Sequence, residues 1–133
     1  MARLRAEGHD IIVNIRGTGA RHEPAHAINL NPNRVAPRRG IPNHIAEPGE
    51  TIANHFAAGS VDQVVGHHLP PNVLNWDRIA PGAFTVLRPG GRFEIYFRGA
   101  HPGDAARLAS ALREAGFQAV EVISNVLIRA RKP

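Results

Sequence analysis

The chain has 133 residues, of which 43% are hydrophobic and 5% aromatic, and it contains 13 glycines, 11 prolines and no cysteine. This composition predicts one domain with an aliphatic core and many loops, and it argues against a helical bundle, a coiled coil or a disordered tail. The lack of cysteine excludes disulfides, cysteine-ligated zinc, iron–sulfur clusters and thiol catalysis. We find no apolar run long enough to span a membrane and no signal-peptide pattern, so we expect a cytoplasmic protein.

The charge of the chain is basic and unevenly distributed. There are 16 basic and 11 acidic residues, a net charge of +5, and the first 46 residues alone carry seven arginines against three acidic residues. This favours nucleic acid or another polyanion as a partner, unless the charge only keeps the chain soluble. We expect five arginines to converge on one rim that binds nucleic acid or an acidic protein: Arg16, Arg21, Arg34, Arg38 and Arg39.

In the first part of the chain, short apolar runs that end at glycine or proline predict strands. The first strand covers residues 11–15 and enters a glycine-rich turn at 16–19. The second covers residues 27–31 and stops at a proline, which cannot continue a central strand. Residues 32–49 contain four prolines and two glycines and predict an irregular loop, with a weak strand around 43–46.

In the middle of the chain, helical spacing of apolar residues alternates with a β-branched run. The predicted elements are, in order, a two-turn helix that begins at Glu50, a strand at 61–66, a helix at 73–79 that Pro81 and Gly82 are expected to disturb, and a turn at 88–91.

The last third of the chain has the clearest pattern. Its predicted elements are a strand at 92–98, a helix at 104–115, and two strands at 119–124 and 126–131. Asp104 is the expected N-cap of the helix and Gly116 ends it. Ser124 and Asn125 suit the turn of a hairpin. Strands that alternate with helices and end in a hairpin predict an open α/β sheet with an antiparallel edge element.

The order of these segments resembles that of the class I S-adenosylmethionine-dependent methyltransferases. The most specific match is LRPGGRF at residues 87–93, which is similar to the family's LKPGGRL turn before the fifth strand. The resemblance covers most of residues 10–131. It implies one Rossmann-like α/β domain over residues 1–133, with a mostly parallel open sheet, a C-terminal antiparallel hairpin and S-adenosylmethionine as the donor of a methyl group to an unidentified acceptor.

The resemblance also implies roles for residues at the strand ends. In the family, the glycine loop after the first strand cradles the methionine part of the cofactor, and the end of the second strand, here Asn29 or Asn31, holds the ribose. The implied cofactor-binding residues are Asn14, Gly17, Thr18, Gly19, Asn31 and Glu47. The loop after the fourth strand faces the methyl acceptor, and its candidate catalytic residues are His67, His68 and Asn72, with either histidine as a general base.

The sequence departs from the family's pattern around the first strand. Asn14 stands where the family has an acid, Arg16 stands where it has a glycine, and an asparagine replaces the ribose-binding acid. Only 12 residues, 16–27, separate the first two predicted strands, which leaves room for about one helical turn. We therefore expect a shortened N-terminal half in which the first helix is trimmed or missing.

Two further functions fit the same residues. A short, basic, cysteine-free domain with a trimmed enzyme fold is also typical of the C-terminal effector module of a bacterial polymorphic toxin, which is secreted, acts on or binds nucleic acid, and is neutralised by an immunity protein. The third hypothesis is a degenerate, non-catalytic interaction domain.

We predict no metal site, because Pro24 interrupts the pair His22 and His26 and no third ligand is evident. Trp76 is expected in the core.

Overall fold

The structure is a computed structural model that describes residues 8–33 and 40–133. Its strands are β1 (Ile12–Ile15), β2 (Ile28–Leu30), β3 (His44–Ile45), β4 (Val61–Leu69), β5 (Leu87–Phe97), β6 (Gln118–Ile123) and β7 (Leu127–Arg131). They form one sheet in the order β3-β2-β1-β4-β5-β7-β6. The first five strands are parallel, and β7 is antiparallel to β5 and β6, between which it lies. The predicted open, mostly parallel sheet with a C-terminal antiparallel hairpin is confirmed.

One face of the sheet is covered by three helical segments, a 3₁₀ helix (Gly49–Asn54), α1 (Trp76–Val86) and α2 (Pro102–Ala115). The connections that contain them all lead in the same direction across the sheet, and right-handed crossovers therefore place them on the same face. The middle helix, α1, packs against both of the others. On this covered face the strands contribute fully buried side chains, among them Val13, Val64, Phe93 and Ile128.

The opposite face, here called the open face, has no helix on it among the described residues. Successive side chains of a strand point to opposite faces, so the row Asn14, Val65, Glu94 and Arg129, which the strand register aligns, lies on this face. The link between β1 and β2, residues 16–27, contains no helix and lies over the β1 and β4 part of the open face. The expected loss of the first helix is confirmed.

The hairpin between β6 and β7 has the predicted turn. Ser124 and Asn125 both have positive φ angles, 52° and 55°, and the N–H of Val126 donates to the carbonyl of Ile123 at 3.0 Å. Two successive residues with positive φ define a type I′ turn, whose twist matches that of the strands it joins.

Helix α1 runs through Pro81 and Gly82, where the sequence predicts a disturbance. Gly82 has a packing role, because a Cβ atom there would lie 2.8 Å from Cγ2 of Ile52 in the 3₁₀ helix. That 3₁₀ helix lies where the sequence predicts a two-turn helix. Trp76 is confirmed as a core residue, since it is 5% exposed and its ring meets that of Phe97 edge-on at 5.9 Å.

Two predicted loop segments belong to strands. Val61 pairs with Leu87 and Gln63 pairs with Arg92, so the predicted turn at 88–91 is a bulge inside β5 and not the boundary of the strand. At the other end of the pair, β4 continues to Leu69 through a second irregularity. His67 and His68 therefore lie within β4, which the sequence ends at residue 66.

The approach of α1 to the 3₁₀ helix can be tested with two helical glycines. We expect Gly82→Ala to lower the free energy of unfolding by about 1–3 kcal/mol, because the added methyl group overlaps Ile52. Gly103 in α2 is the matched control: a Cβ there meets nothing within 4 Å, so Gly103→Ala should be neutral or stabilise by up to about 1 kcal/mol. Urea unfolding followed by circular dichroism measures both changes, and equal effects would contradict this packing.

Candidate functional site

The strand order reverses between β1 and β4, so the connections that leave these two strands diverge and open a crevice at their carboxyl ends. A cavity of about 310 Å³ lies there, and we call it the switch-point cavity. Segments that follow four successive strands line it: Arg16 after β1, Pro32 after β2, residues 48–51 after β3, and residues 73–75 after β4. Arg78 of α1 completes the lining.

A second cavity of about 470 Å³ adjoins the first and shares Glu50 and residues 73–75 with it. The lining of this neighbouring cavity adds Asn72, Trp76, Asp77 and Arg107. The two cavities lie side by side at the carboxyl edge and together form the candidate site, within the size range of small-molecule sites.

The loop after β4 is held in place by the first turns of α2. The backbone N–H of Asn72 donates to Oδ2 of Asp104 at 2.7 Å, and Arg107 donates to Oδ1 of Asn72 at 2.8 Å while it pairs with Asp104. The sequence predicts Asp104 as the N-cap of α2, and this is wrong: the N-cap is His101 and the buried Asp104 caps a loop instead.

Charges of both signs line the switch-point cavity. Arg16 and Arg78 contribute guanidinium groups and Glu50 contributes a carboxylate. Oε2 of Glu50 accepts a hydrogen bond from the backbone N–H of Asn75 at 2.9 Å, which joins the 3₁₀ helix to the start of α1. Sequence reasoning missed Glu50 and Arg78, and assigned Arg16 only to a basic rim, because charges that meet from separate elements leave no local motif.

The glycine loop packs onto the chain's own side chains. A Cβ atom on Gly17 would lie 2.0 Å from Oδ1 of Asn29 and 2.6 Å from Nδ2 of Asn14, so only glycine fits at this position. Nδ2 of Asn31 donates to the carbonyl of Gly17 at 3.1 Å and fixes the loop from the other side. Because the loop turns toward the open face, Gly17, Thr18 and Gly19 do not line the switch-point cavity.

Glu23 anchors the link between β1 and β2. Its Oε1 accepts hydrogen bonds from Nδ2 of Asn14 at 2.6 Å and from the N–H of Thr18 at 2.9 Å, and its Oε2 accepts from Oγ1 of Thr18 at 2.8 Å. Burial raises the pKa of the Glu23 carboxyl, but the hydrogen bonds from Thr18 and Asn14 together outweigh burial and leave the pKa below its usual value. Sequence reasoning missed this residue, although Glu23 is the only acid in the link.

The two other predicted cofactor residues lie next to the switch-point cavity. Asn31 precedes Pro32 and Glu47 precedes Pro48, and both prolines line the cavity. The Asn31 amide is already engaged with Gly17 and, through Oδ1, with the N–H of Asn33 at 3.0 Å. Asn14 is fully buried, and its Oδ1 has no hydrogen-bond partner among the described residues.

Of the three predicted catalytic residues, only Asn72 lines one of these two cavities. His67 lies on the open face, where its ring stacks on Tyr96 with centroids 5.0 Å apart, and His22 meets His68 at 4.5 Å. Burial is the main cause that lowers the pKa of His67, and the neighbouring His22 and His68 lower it further while Glu23 opposes them. His67 therefore lies under the link and away from the cavities, in surroundings that favour its neutral form.

The structure describes two of the five arginines predicted for a basic rim. Arg16 lines the switch-point cavity, whereas Arg21 lines a separate cavity of about 220 Å³ over β2. Arg34, Arg38 and Arg39 lie outside the described residues.

In the described parts of the chain, no three histidine, aspartate or glutamate side chains are placed to hold one metal ion. Among the described helices, none has the length and apolar character needed to cross a bilayer.

Several solved structures that are similar to this chain are methyltransferases. A variant of the 16S rRNA (adenine(1408)-N(1))-methyltransferase from Catenulisporales acidiphilia has a TM-score of 0.64 and 21% identity, covering 98% of this chain and 88% of its own. A SAM-dependent methyltransferase from Thermotoga maritima has a TM-score of 0.67 and 17% identity, covering 92% and 82%. The 1,6-didemethyltoxoflavin-N1-methyltransferase from Burkholderia thailandensis has a TM-score of 0.60 and 18% identity, covering 98% and 75%.

These similarities establish the fold: the chain has the class I S-adenosylmethionine-dependent methyltransferase fold, as the resemblance implies. S-adenosylmethionine is the cofactor of this fold, since the Catenulisporales enzyme has been solved with S-adenosylmethionine and the Burkholderia enzyme with S-adenosylhomocysteine. No protein-family model matches the sequence, and no curated protein does.

The role of Glu23 can be tested through pH. We expect Glu23→Gln to destabilise the fold at pH 7 by roughly 1.5–3 kcal/mol, since it removes a charged acceptor of three hydrogen bonds. The pKa of Glu23 is lowered in the fold, so its contribution is complete above the unfolded value of 4.5 and is lost as pH falls through the folded value. The difference between wild type and variant, measured by urea unfolding, should therefore shrink from pH 6 toward pH 3. A difference independent of pH would contradict this assignment.

Proposed function

We propose that this chain is an S-adenosylmethionine-dependent methyltransferase that binds its cofactor in the switch-point cavity. The observation that carries the proposal is the position of this cavity, which is lined by the segments after β1, β2, β3 and β4 in a fold whose neighbours hold S-adenosylmethionine or S-adenosylhomocysteine. The adjoining cavity, lined by Asn72, Asp77 and Arg107, is the place we propose for the methyl acceptor.

The charges of the switch-point cavity fit the amino-acid end of the cofactor, which carries a carboxylate and an ammonium group. Arg16 is suited to the carboxylate, because a guanidinium donates two parallel hydrogen bonds to one. Glu50 is suited to the ammonium, since one of its oxygens is fixed by Asn75. We propose that Arg16 and Glu50 replace the glycine and the acid of the family pattern, while Asn31 and Glu47 remain candidates for the ribose and the adenine.

The cofactor supplies an electrophilic methyl group when it is bound. The residues of this chain orient the reactants and accept the proton that an amine or hydroxyl acceptor loses. His67 and His68 do not line the acceptor cavity, whereas Glu50 and Asp77 do. We therefore propose Asp77 as the proton acceptor in place of the two histidines, since Glu50 is assigned to the ammonium group of the cofactor. Asn72, which Asp104 and Arg107 hold in position, orients the acceptor.

Calorimetric titration with S-adenosylmethionine and S-adenosylhomocysteine tests the cofactor site. We expect both to bind, and Arg16→Ala to weaken binding by roughly tenfold or more, because a charged hydrogen bond contributes about 1.5–3 kcal/mol. Arg113→Gln is the matched control: this exposed arginine of α2 lines none of the cavities described above, and its loss should leave the affinity unchanged.

Absence of heat and of any thermal shift at millimolar ligand would overturn the proposal, because a ligand that binds only the folded state must stabilise it. That outcome would favour the toxin module or the non-catalytic interaction domain, which remain predictions. Equal loss of affinity in Arg16→Ala and Arg113→Gln would contradict the proposal that the cofactor binds in the switch-point cavity.

A further inference from the structure

The open face carries a row of hydrogen-bond donors that the proposed methyltransferase site does not use. The strand register pairs Gln63 with Arg92, Arg92 with Arg131, and Arg131 with Gln118. Directly paired residues point to the same face, so two amides and two guanidinium groups form one line across β4, β5, β7 and β6. We call this line the donor row. Neighbouring strands lie roughly 4.8 Å apart, so the donor row spans roughly 14 Å.

The two arginines in the middle of the donor row are not neutralised. Arg92 and Arg131 are exposed, and neither side chain has an ion pair or hydrogen bond with any described residue. Like charges directly opposite each other in an antiparallel pair destabilise the sheet. A ligand that brings negative charge between them would therefore be stabilised by both guanidinium groups.

The next row toward the carboxyl edge has the opposite character. Arg129 is paired in register with Glu94 on one side and Glu121 on the other, and its Nη2 lies 3.1 Å from Oε2 of Glu121. The positive charge of Arg129 is thus neutralised within this row, and the row as a whole carries two carboxylates. A polyanion on the open face is consequently bound more favourably at the donor row than at this row, so we expect it to follow the donor row across the strands.

We propose that the donor row binds the phosphodiester backbone of a single-stranded nucleic acid. A groove of about 350 Å³ provides a concave surface at this place; Arg92 and Arg131 of the donor row line it on one side, and Glu94, Glu121 and Arg129 of the next row line it on the other. Arg92 and Arg131 bind phosphates, and the amides of Gln63 and Gln118 at the two ends supply donors and acceptors for base edges. No described helix blocks access of the nucleic acid to the donor row, because all three helical segments lie on the covered face.

Fluorescence anisotropy with a labelled single-stranded oligonucleotide tests the proposal over a series of salt concentrations. Each lost phosphate contact reduces the slope of log affinity against log salt by about 0.7 for a single strand. The double variant Arg92→Gln with Arg131→Gln should therefore weaken binding and reduce the slope by about 1.4. It should also remain folded, since it removes a repulsive pair, and its thermal midpoint should not fall.

Arg113→Glu is the matched control, because it changes the net charge by the same two units from α2 on the covered face. It should leave the salt slope nearly unchanged. Equal effects of the control and the double variant would show that only net charge matters and would overturn the proposal. So would binding of poly-glutamate with the same affinity and the same dependence on Arg92 and Arg131, since the face would then recognise any acidic chain. Titration of the cofactor is a separate measurement, so either proposal can fail alone.

Discussion

The carboxylate of Glu23 holds the link between β1 and β2 against the sheet, and much of this structure depends on that contact. The link is too short for a crossover helix, so a polar network of Asn14, Thr18 and Glu23 covers the buried strands instead of an apolar helix face. A buried carboxylate is stable only when hydrogen bonds compensate its lost hydration. The chain meets this requirement with three donors and a glycine that leaves room for the asparagines.

This substitution of a loop for a helix makes the two faces of the sheet unequal. Parallel sheets normally need cover on both faces, and their strands are then apolar throughout. Here the covered face is apolar, whereas the open face carries amides, arginines and glutamates of β4, β5, β6 and β7. Polar residues such as Arg92 and Glu94 alternate with apolar residues in β5 because no described helix covers the open face.

Most strands could be predicted from the sequence because they are apolar runs, or alternations of apolar and polar residues, with a glycine or proline nearby, and the hairpin because Ser124 and Asn125 tolerate positive φ. The site could not be predicted in the same way. The roles of Asp104 and Glu50 come from contacts between segments far apart in the chain, to Asn72 and Asn75, which no local pattern contains. His67 and His68 were misplaced because a strand continues through an irregularity that periodicity treats as its end.

The position of Arg16 explains how a divergent sequence and an intact crevice coexist. In the family pattern a glycine at this point admits the cofactor to the backbone, whereas here an arginine side chain enters the lining of the cavity itself. The arginine has a positive φ of 56°, a conformation that costs a non-glycine residue energy and persists only when its surroundings impose it. Its N–H donates to the carbonyl of Leu30 at 2.7 Å, so the end of β2 imposes that conformation. The crevice is therefore maintained by the sheet, and Arg16 contributes to its charge together with Arg78 and Glu50.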